Sequence, residues 1–274
     1  MNNQKTEARL RAVFGFKTIP FTKDLELDQI FETPAGHQAF KRLHYLSQRC
    51  GIGVLIAAPG LGKSTLVSAF LASLSRAEYL SAYICHTTCA ILDLYRQIAC
   101  ALQLQPAYRK ADLMRQIQQR LLKLSREQKI KPVLVIDEAN MLPPRFLDEL
   151  RILCSFDGDS RDEITLILAG LPQLEANLRL AVNEPFSQRI VMRISLQELS
   201  GEEVAGYLDF RLRHAGRTAK LFMPDAIQAI AKASRGVPRL IDRIAEHCLL
   251  IALERKAKEI DTQIVNLAQE EIES

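Results

Sequence analysis

The chain has 274 residues, of which 48% are hydrophobic and 25% are charged. This length allows one large domain or a domain with a smaller partner, and the composition is that of a globular protein rather than a disordered or fibrous one. The formal net charge of +4 permits contact with nucleic acid without requiring it. Because the sequence has neither a long apolar run nor the apolar core of a secretory signal, we expect a cytoplasmic protein with no membrane partner.

Short apolar runs alternate with longer amphipathic stretches up to residue 196. The runs predict five buried strands, at residues 53–57, 79–85, 133–137, 164–169 and 190–196. The other stretches predict helices at residues 63–75, 90–102, 111–125, 144–155, 200–214, 224–236, 237–255 and 261–272. This order indicates an α/β fold in which a five-stranded parallel sheet is covered on both faces. We therefore predict an N-terminal arm at 1–50, an α/β domain at 51–198 and a small all-helical domain at 199–274.

The strongest functional signal is the segment AAPGLGKS, which begins at Ala57 and lies between the first strand and a helix. Its glycines let backbone N–H groups point at phosphates, and the start of the helix adds a partial positive charge. Ala57 stands where the phosphate-loop pattern has its first glycine, which is tolerable if that residue keeps strand-like torsions. The predicted ATP-binding residues of this loop are Ala58, Pro59, Gly60, Leu61, Gly62, Lys63, Ser64 and Thr65.

The second signal is an apolar strand that ends in Asp137 and Glu138. Charged groups at the end of a buried strand are costly unless they have a partner or a function. We expect Lys63 to reach the β- and γ-phosphates of ATP, and Ser64 and Asp137 to hold Mg²⁺. Glu138 would orient and polarise the water that attacks the γ-phosphate. Adjacent carboxylates of this kind are typical of NTPases that hydrolyse ATP rather than of kinases.

Two arginines are typical of an oligomeric ATPase in which one subunit contributes a side chain to the nucleotide site of its neighbour. Arg189 lies just before the fifth strand, where it can reach the nucleotide of a neighbouring subunit and stabilise transition-state charge. Arg179 and Arg193 are competitors for that role, and a solvated surface arginine is the alternative. Arg239 stands at the start of a helix in the helical region, where a basic side chain is poorly placed for the helix dipole. We expect it to contact the γ-phosphate.

The order of phosphate loop, Asp-Glu strand, arginine before the fifth strand and Gly-x-x-Arg in a helical region resembles the AAA+ ATPases. More narrowly, the segments FGF at 14–16, IPF at 19–21, DEAN at 137–140 and LAGLP at 168–172 resemble the ExeA-like branch. That branch is similar to the transposition ATPases of the TnsC, TniB and MuB type. The resemblance covers about residues 11–250 and implies a P-loop NTPase of the AAA+ type, with a helical lid, that hydrolyses ATP with Mg²⁺.

The resemblance carries two further expectations. The aromatic N-terminal segment would pack over the adenine together with Ile30 and Phe31; an ordinary hydrophobic arm is the alternative. AAA+ proteins usually have a polar residue at the end of the fourth strand, but here the sequence is apolar up to Pro172, and Gln173 is the first polar side chain. Hydrolysis is therefore expected to be slow or to depend on a partner.

Two functions fit an ATPase of this branch. The first is a regulator of DNA transposition that binds ATP, assembles as a ring or filament of identical subunits on double-stranded DNA, and recruits or activates a transposase. The alternative is a general secretion ATPase of the ExeA type, which carries a membrane helix and a peptidoglycan-binding region. Because the sequence ends at Ser274 with neither, the first is favoured. A replication-initiator or helicase-loader role is a third, weaker possibility.

A DNA partner would be held by basic residues of the helices between the second and third strands. Arg109, Lys110 and Arg115 are the candidate phosphate contacts, and a solvated basic helix face is the alternative. No motif that reads bases is visible, so binding is expected to be independent of DNA sequence.

Overall fold

The structure, a computed structural model, describes residues 3–22, 31–85, 87–156 and 162–273. The helices are α1 (Asn3–Phe14), α2 (Pro34–Arg49), α3 (Lys63–Ser73), α4 (Ile91–Ala101), α5 (Lys110–Leu122), α6 (Pro144–Leu153), α7 (Pro172–Leu178), α8 (Glu184–Ser187), α9 (Gly201–His214), α10 (Pro224–Ser234), α11 (Pro238–Arg255) and α12 (Thr262–Glu273). The strands are β1 (Gly51–Ile56), β2 (Tyr79–Ile84), β3 (Lys131–Ile136), β4 (Thr165–Gly170) and β5 (Ile190–Ser195). In the described ranges, no helix combines the length and apolar character needed to span a lipid bilayer.

The five strands form one parallel sheet in the order β2-β3-β4-β1-β5. The three inner strands are buried along almost their whole length, whereas β2 and β5 at the edges alternate between buried and accessible residues. This is why the inner strands read as continuous apolar runs in the sequence. The predicted α/β fold with a five-stranded parallel sheet is confirmed. Because all strands run the same way, β1 and β3 end at the same edge of the sheet, on either side of β4.

The chain divides into two compact units. The sheet unit contains Pro34–Pro59 and Lys63–Leu196, and the helical unit contains Met1–Thr33, Gly60–Gly62 and Gln197–Ser274. The helix α2 thus belongs with the sheet. The three-part division with limits at 50 and 198 stays a prediction about folding domains.

In the sheet unit, neighbouring strand residues pack into two different apolar cores, one on each face of the sheet. Val54 and Leu168 lie in the core that contains the buried residues of α4, α5 and α6. Leu55 and Ala169 lie in the core that contains those of α2 and α3. Successive side chains of a strand point to opposite faces, so each inner strand serves both cores. This packing fixes the strands whose ends carry the candidate site.

In the helical unit, the N-terminal aromatic segment is part of the core. The rings of Phe14, Phe16 and Phe21 are buried among apolar side chains of α9 to α12. These three rings are therefore packing groups of the helical unit, as the alternative of a hydrophobic arm expects. Phe31 lies edge-on against Tyr207 and near Phe210. Ile30, which was expected to act with Phe31, lies outside the described residues.

The segment that leads into α9 is held by Gly236. This glycine follows α10 with a φ of +73°, in the left-handed region. Its carbonyl oxygen accepts a hydrogen bond of 2.9 Å from the Leu199 N–H. A Cβ atom on Gly236 would lie 2.1 Å from the Leu199 carbonyl oxygen. Only glycine therefore fits at this position, both for its torsions and for the close approach of the backbone.

We expect Gly236→Ala to lower the free energy of unfolding by about 2–4 kcal/mol, because it adds left-handed strain and a backbone clash. Gly201→Ala is the matched control, because a Cβ atom there meets nothing within 4 Å. It should change stability by no more than about 0.5 kcal/mol. Urea denaturation followed by circular dichroism measures both variants. Equal midpoints would contradict the structural role of Gly236.

Candidate functional site

The loop between β1 and α3 has the backbone that a phosphate loop needs. Gly60 and Gly62 have φ values of +85° and +88°, which glycine adopts without strain. The Ala57 N–H donates to the Gly170 carbonyl oxygen at 3.1 Å, so pairing with β4 continues one residue beyond β1. Ala57 thus continues the pairing with β4 and does not have a positive φ, so its methyl group is tolerated in place of the usual glycine. The loop ends at Lys63, the first residue of α3.

The structure brings four of the predicted site residues together at the ends of β1 and β3. Lys63 Nζ lies 2.8 Å from Asp137 Oδ1 and 3.2 Å from Glu138 Oε1. The Ser64 hydroxyl donates to Asp137 Oδ2 at 3.3 Å. The Lys63 side chain is only 8% exposed, so its ammonium group needs the two carboxylates as partners.

Asp137 is buried, and hydrogen bonds from several directions hold its carboxylate. The Tyr83 hydroxyl donates to Oδ2 at 2.6 Å, and the Glu138 N–H donates to Oδ1 at 2.8 Å. Burial alone would raise the pKa of Asp137, but the bonds from Lys63, Tyr83 and the Glu138 amide outweigh it and hold that pKa below its usual value. Burial and the bond to Asp137 raise the pKa of Tyr83. Asp137 is therefore anionic and Tyr83 is a hydrogen-bond donor at neutral pH.

Glu138 combines a strained backbone with an accessible side chain. Its φ and ψ are 51° and 35°, in the left-handed region that residues other than glycine rarely adopt. The buried Thr87 hydroxyl donates to the Glu138 carbonyl oxygen at 3.1 Å and so helps to hold this conformation. The Glu138 side chain is 47% exposed, in contrast to Asp137 beside it. Water can therefore reach the Glu138 carboxylate.

The polar group near the end of β4 comes from the short 3-10 helix at Ala139–Met141, which follows β3. Asn140 Oδ1 accepts a hydrogen bond of 3.0 Å from the Leu171 N–H. A Cβ atom on Gly170 would lie 3.0 Å from the same oxygen, so glycine makes room for the amide. Gln173, the first polar side chain of that stretch, is exposed on α7. Asn140 is thus the polar side chain beside the apolar end of this strand.

Three residues beside the site, Tyr83, Thr87 and Asn140, are not among the site residues predicted from the sequence motifs. All three lie within a few residues of the carboxyl ends of β2 and β3. Ligands of open α/β sheets bind outside the carboxyl ends of the strands, and that rule is the signal by which these residues could have been found.

The residues present fit ATP and Mg²⁺. The Ser64 hydroxyl and the Asp137 carboxylate are neighbouring oxygen donors, the kind of ligand that Mg²⁺ prefers. The left-handed glycines and the start of α3 provide backbone N–H groups and a partial positive charge for phosphate oxygens. The ammonium group of Lys63 adds a full positive charge at the same place.

Arg189 lies at the carboxyl end of α6. Its guanidinium donates at 2.8 Å to both the Arg151 carbonyl oxygen and the Ser155 hydroxyl, and at 3.4 Å to the Cys154 carbonyl oxygen. These acceptors belong to the last turn of α6 and the residues after it, where helix carbonyls lack partners and a cation is favoured. Arg189 thus stabilises the end of α6.

The two competing arginines share one carboxylate. Arg179 Nε lies 3.3 Å from Glu175 Oε1, and Arg193 Nη1 lies 2.8 Å from Glu175 Oε2. The Arg179 side chain is 77% exposed. In the helical unit, Arg239 is exposed in the first turn of α11, and its backbone N–H donates to the Gly60 carbonyl oxygen at 3.3 Å within that unit.

The candidate DNA contacts differ in their surroundings. Lys110 forms an ion pair with Glu149, and Arg115 forms one of 2.8 Å with Asp112 on the same helix. Arg109 precedes α5 and is exposed. Two of the three cations are thus partly neutralised by carboxylates, which favours the alternative of a solvated helix face for them.

Comparison with protein families and curated proteins gives two matches. Residues 46–178 match the model of the AAA_22 family, an AAA domain. The chain is 31% identical over 267 residues to general secretion pathway protein A from Aeromonas hydrophila. This match covers 94% of the chain and 48% of the relative, so the chain spans about half the length of that protein.

Solved structures share the fold at low sequence identity. A Cdc6 protein from Pyrobaculum aerophilum superposes with a TM-score of 0.66 at 18% identity, over 95% of this chain and 70% of that one. The ORC1 protein of Aeropyrum pernix in complex with DNA gives a TM-score of 0.65 at 16% identity, over 89% and 67%. The RuvB branch migration motor of Thermotoga maritima gives 0.57 at 18% identity, over 91% and 72%.

These matches confirm the predicted fold class, a P-loop NTPase of the AAA+ type with a helical C-terminal region. Residues 46–178 match an AAA-domain model, and the chain is similar to the secretion relative over 94% of its length, in keeping with the resemblance to the ExeA-like ATPases. The matches give no support to the narrower similarity to the TnsC, TniB and MuB proteins. At 16–18% identity the solved structures bear on the fold alone.

We expect Arg189→Ala to lower the free energy of unfolding by about 1–3 kcal/mol, because carbonyls at the end of α6 lose a charged donor. Arg179→Ala also removes an arginine near β5, but from an exposed ion pair, and should cost no more than about 1 kcal/mol. Urea denaturation of the nucleotide-free protein compares the two. An equal loss of unfolding free energy in both variants would show that the contacts of Arg189 with α6 stabilise the protein no more than an exposed ion pair does.

Proposed function

We propose that this chain is the ATP-hydrolysing module of a general secretion system, in the manner of the ExeA-like ATPases. The observation that carries the ATPase part is the convergence of Lys63, Ser64, Asp137 and Glu138 beside a glycine loop of left-handed torsions. The observation that favours secretion is the identity with the secretion protein of Aeromonas, which extends over 94% of the chain. Because its nucleotide is ATP, we place the module in the cytoplasmic compartment.

In this proposal the loop from Ala58 to Thr65 binds the phosphates through its backbone N–H groups, and Lys63 binds β- and γ-phosphate oxygens. Ser64 and Asp137 hold Mg²⁺. When bound, ATP with Mg²⁺ supplies a γ-phosphoryl group whose negative charge the metal partly neutralises. Glu138 orients the attacking water and accepts its proton, for which its exposed carboxylate is suited.

Competition for Lys63 links nucleotide binding to the state of Glu138. The ammonium group of Lys63 lies within 3.2 Å of both carboxylates. With ATP bound, the Lys63 ammonium group would turn from Glu138 to phosphate oxygens, and the Glu138 carboxylate would be left to act on water. Asp137 keeps its bonds from Tyr83 and from the Glu138 amide, so it stays fixed for the metal.

The two arginines complete the proposed ATPase. Arg239 contacts the γ-phosphate from the helical region. Arg189 acts on the nucleotide of a neighbouring copy in a homo-oligomer, which requires its guanidinium to leave the end of α6. Because that release costs several hydrogen bonds, hydrolysis is slow until assembly or a partner compensates for them.

Lys63→Ala should abolish ATP binding, because it removes the ammonium group that contacts both carboxylates and is proposed to bind the β- and γ-phosphates. Glu138→Gln should keep ATP bound and reduce phosphate release at least about a hundredfold, because an amide cannot accept the proton of the water. Calorimetry measures binding, and a phosphate-release assay measures turnover. Lys123→Ala and Glu127→Gln, both at exposed positions, are the matched controls. Unchanged turnover in Glu138→Gln would remove Glu138 from the mechanism.

Regulation of DNA transposition is the second candidate. Its support is the resemblance of the sequence motifs to transposition ATPases and the exposed position of Arg109 at the start of α5. In that function the ATP-bound chain assembles on double-stranded DNA and recruits a transposase. The two functions differ in whether ATP controls binding to DNA.

For the secretion function, we expect duplex DNA to bind weakly, with an affinity that ATP and its slowly hydrolysed analogues leave unchanged. Fluorescence anisotropy with two unrelated duplexes over a series of salt concentrations measures this. Tight binding only with ATP would favour transposition, with log affinity falling by about 0.9 per phosphate contact against log salt. In that case Arg109→Ala with Lys110→Ala should flatten the slope, whereas the control pair Lys123→Ala with Lys129→Ala should not.

A further inference from the structure

Tyr83 is the one aromatic side chain that donates to the central carboxylate of the site in the described part of the chain. It lies near the carboxyl end of β2, opposite Val135 of β3 in the parallel register. This register brings its hydroxyl to Asp137 Oδ2 at 2.6 Å. A short O–H···O⁻ bond of this kind is charge-assisted and fixes the orientation of the carboxylate.

Among the described residues, the four donors to Asp137 fall into two classes. Lys63 and Ser64 are the residues that bind phosphate and metal in the proposed function, so nucleotide competes for them. Tyr83 and the Glu138 backbone N–H have no such second task. Of the donors in the described ranges, these two are thus available to hold the Asp137 carboxylate before and after the nucleotide binds.

We propose that Tyr83 is a positioning residue for the metal site: its hydroxyl holds Asp137 in the orientation in which the carboxylate, together with Ser64, takes Mg²⁺. This inference rests on the proposed ATPase function and adds to it a residue from the edge strand. Residues that hydrogen-bond to metal ligands fix the ligand's orientation, and their loss typically weakens metal binding by about 10–100-fold. If Tyr83 had only a structural role, it would act through the packing of its ring. Phenylalanine keeps that ring, so Tyr83→Phe would then leave metal binding unchanged.

The test uses Tyr83→Phe, with Tyr79→Phe on the same strand and the same face as the matched control. Each protein is saturated with a fluorescent ATP analogue in EDTA, and Mg²⁺ or Mn²⁺ is then added. Paramagnetic resonance of bound Mn²⁺ gives the metal affinity without any need for turnover. We expect Tyr83→Phe to raise the half-saturating metal concentration about tenfold and to leave metal-free nucleotide affinity and the melting temperature nearly unchanged.

The effect should disappear when Asp137 is already altered. In an Asp137→Asn background, adding Tyr83→Phe should cause no further loss of metal affinity, because the bond that it removes is the one to the carboxylate. Metal titrations of Tyr83→Phe and wild type that coincide would overturn the role of Tyr83 while leaving the ATPase function intact. An equal loss in Tyr79→Phe, or a further loss in the Asp137→Asn background, would also overturn it. Failure of the wild-type chain to bind nucleotide at all would overturn both proposals.

Discussion

The candidate site depends on the ion pair between Lys63 and Asp137, which joins the start of α3, the helix after β1, to the end of β3. β1 and β3 both pair with β4, so their carboxyl ends lie at one edge of the sheet with one strand between them. A buried lysine and a buried aspartate are each costly alone and are tolerable together. The strand register, the burial and the opposite charges therefore all favour this ion pair. Ser64 hydrogen-bonds to Asp137, and Glu138 contacts Lys63.

Asp137 and Glu138 are adjacent carboxylates, but their different surroundings suit them to different roles. Asp137 is buried and held by donors on both oxygens, which suits a fixed ligand. Glu138 is half exposed on a left-handed backbone that Thr87 helps to hold, which suits a group that meets water. Such a strained backbone persists only where the surrounding packing stabilises it, and it is common at active sites.

Much of the fold could be predicted because the inner strands are continuous apolar runs and their ends carry distinctive residues. The five predicted strands agree with β1 to β5 to within two residues at either end, and the phosphate loop and the Asp-Glu pair lie where the pattern indicates. The prediction lacks the helices α1, α2, α7 and α8. The helices α7 and α8 have only seven and four residues, too few for a clear helical period. In α2 the period is present, because the buried residues Ala39, Leu43 and Leu46 follow helical spacing. Contacts such as Tyr83 with Asp137 need the order of strands in space, which one sequence does not give.

The burial of the N-terminal rings in the helical unit has a consequence for synthesis of the chain. Phe14 and Phe21 share their core with Leu208 and Ile264, so that core closes over a separation of about 190–250 residues. The sheet unit lies between these segments in sequence and can bury its own apolar faces first. Until the last helices leave the ribosome, the aromatic rings near the N-terminus have no core to enter. Exposed rings of this kind attract chaperones and promote aggregation, so the yield of folded protein should depend on how quickly the C-terminal helices follow.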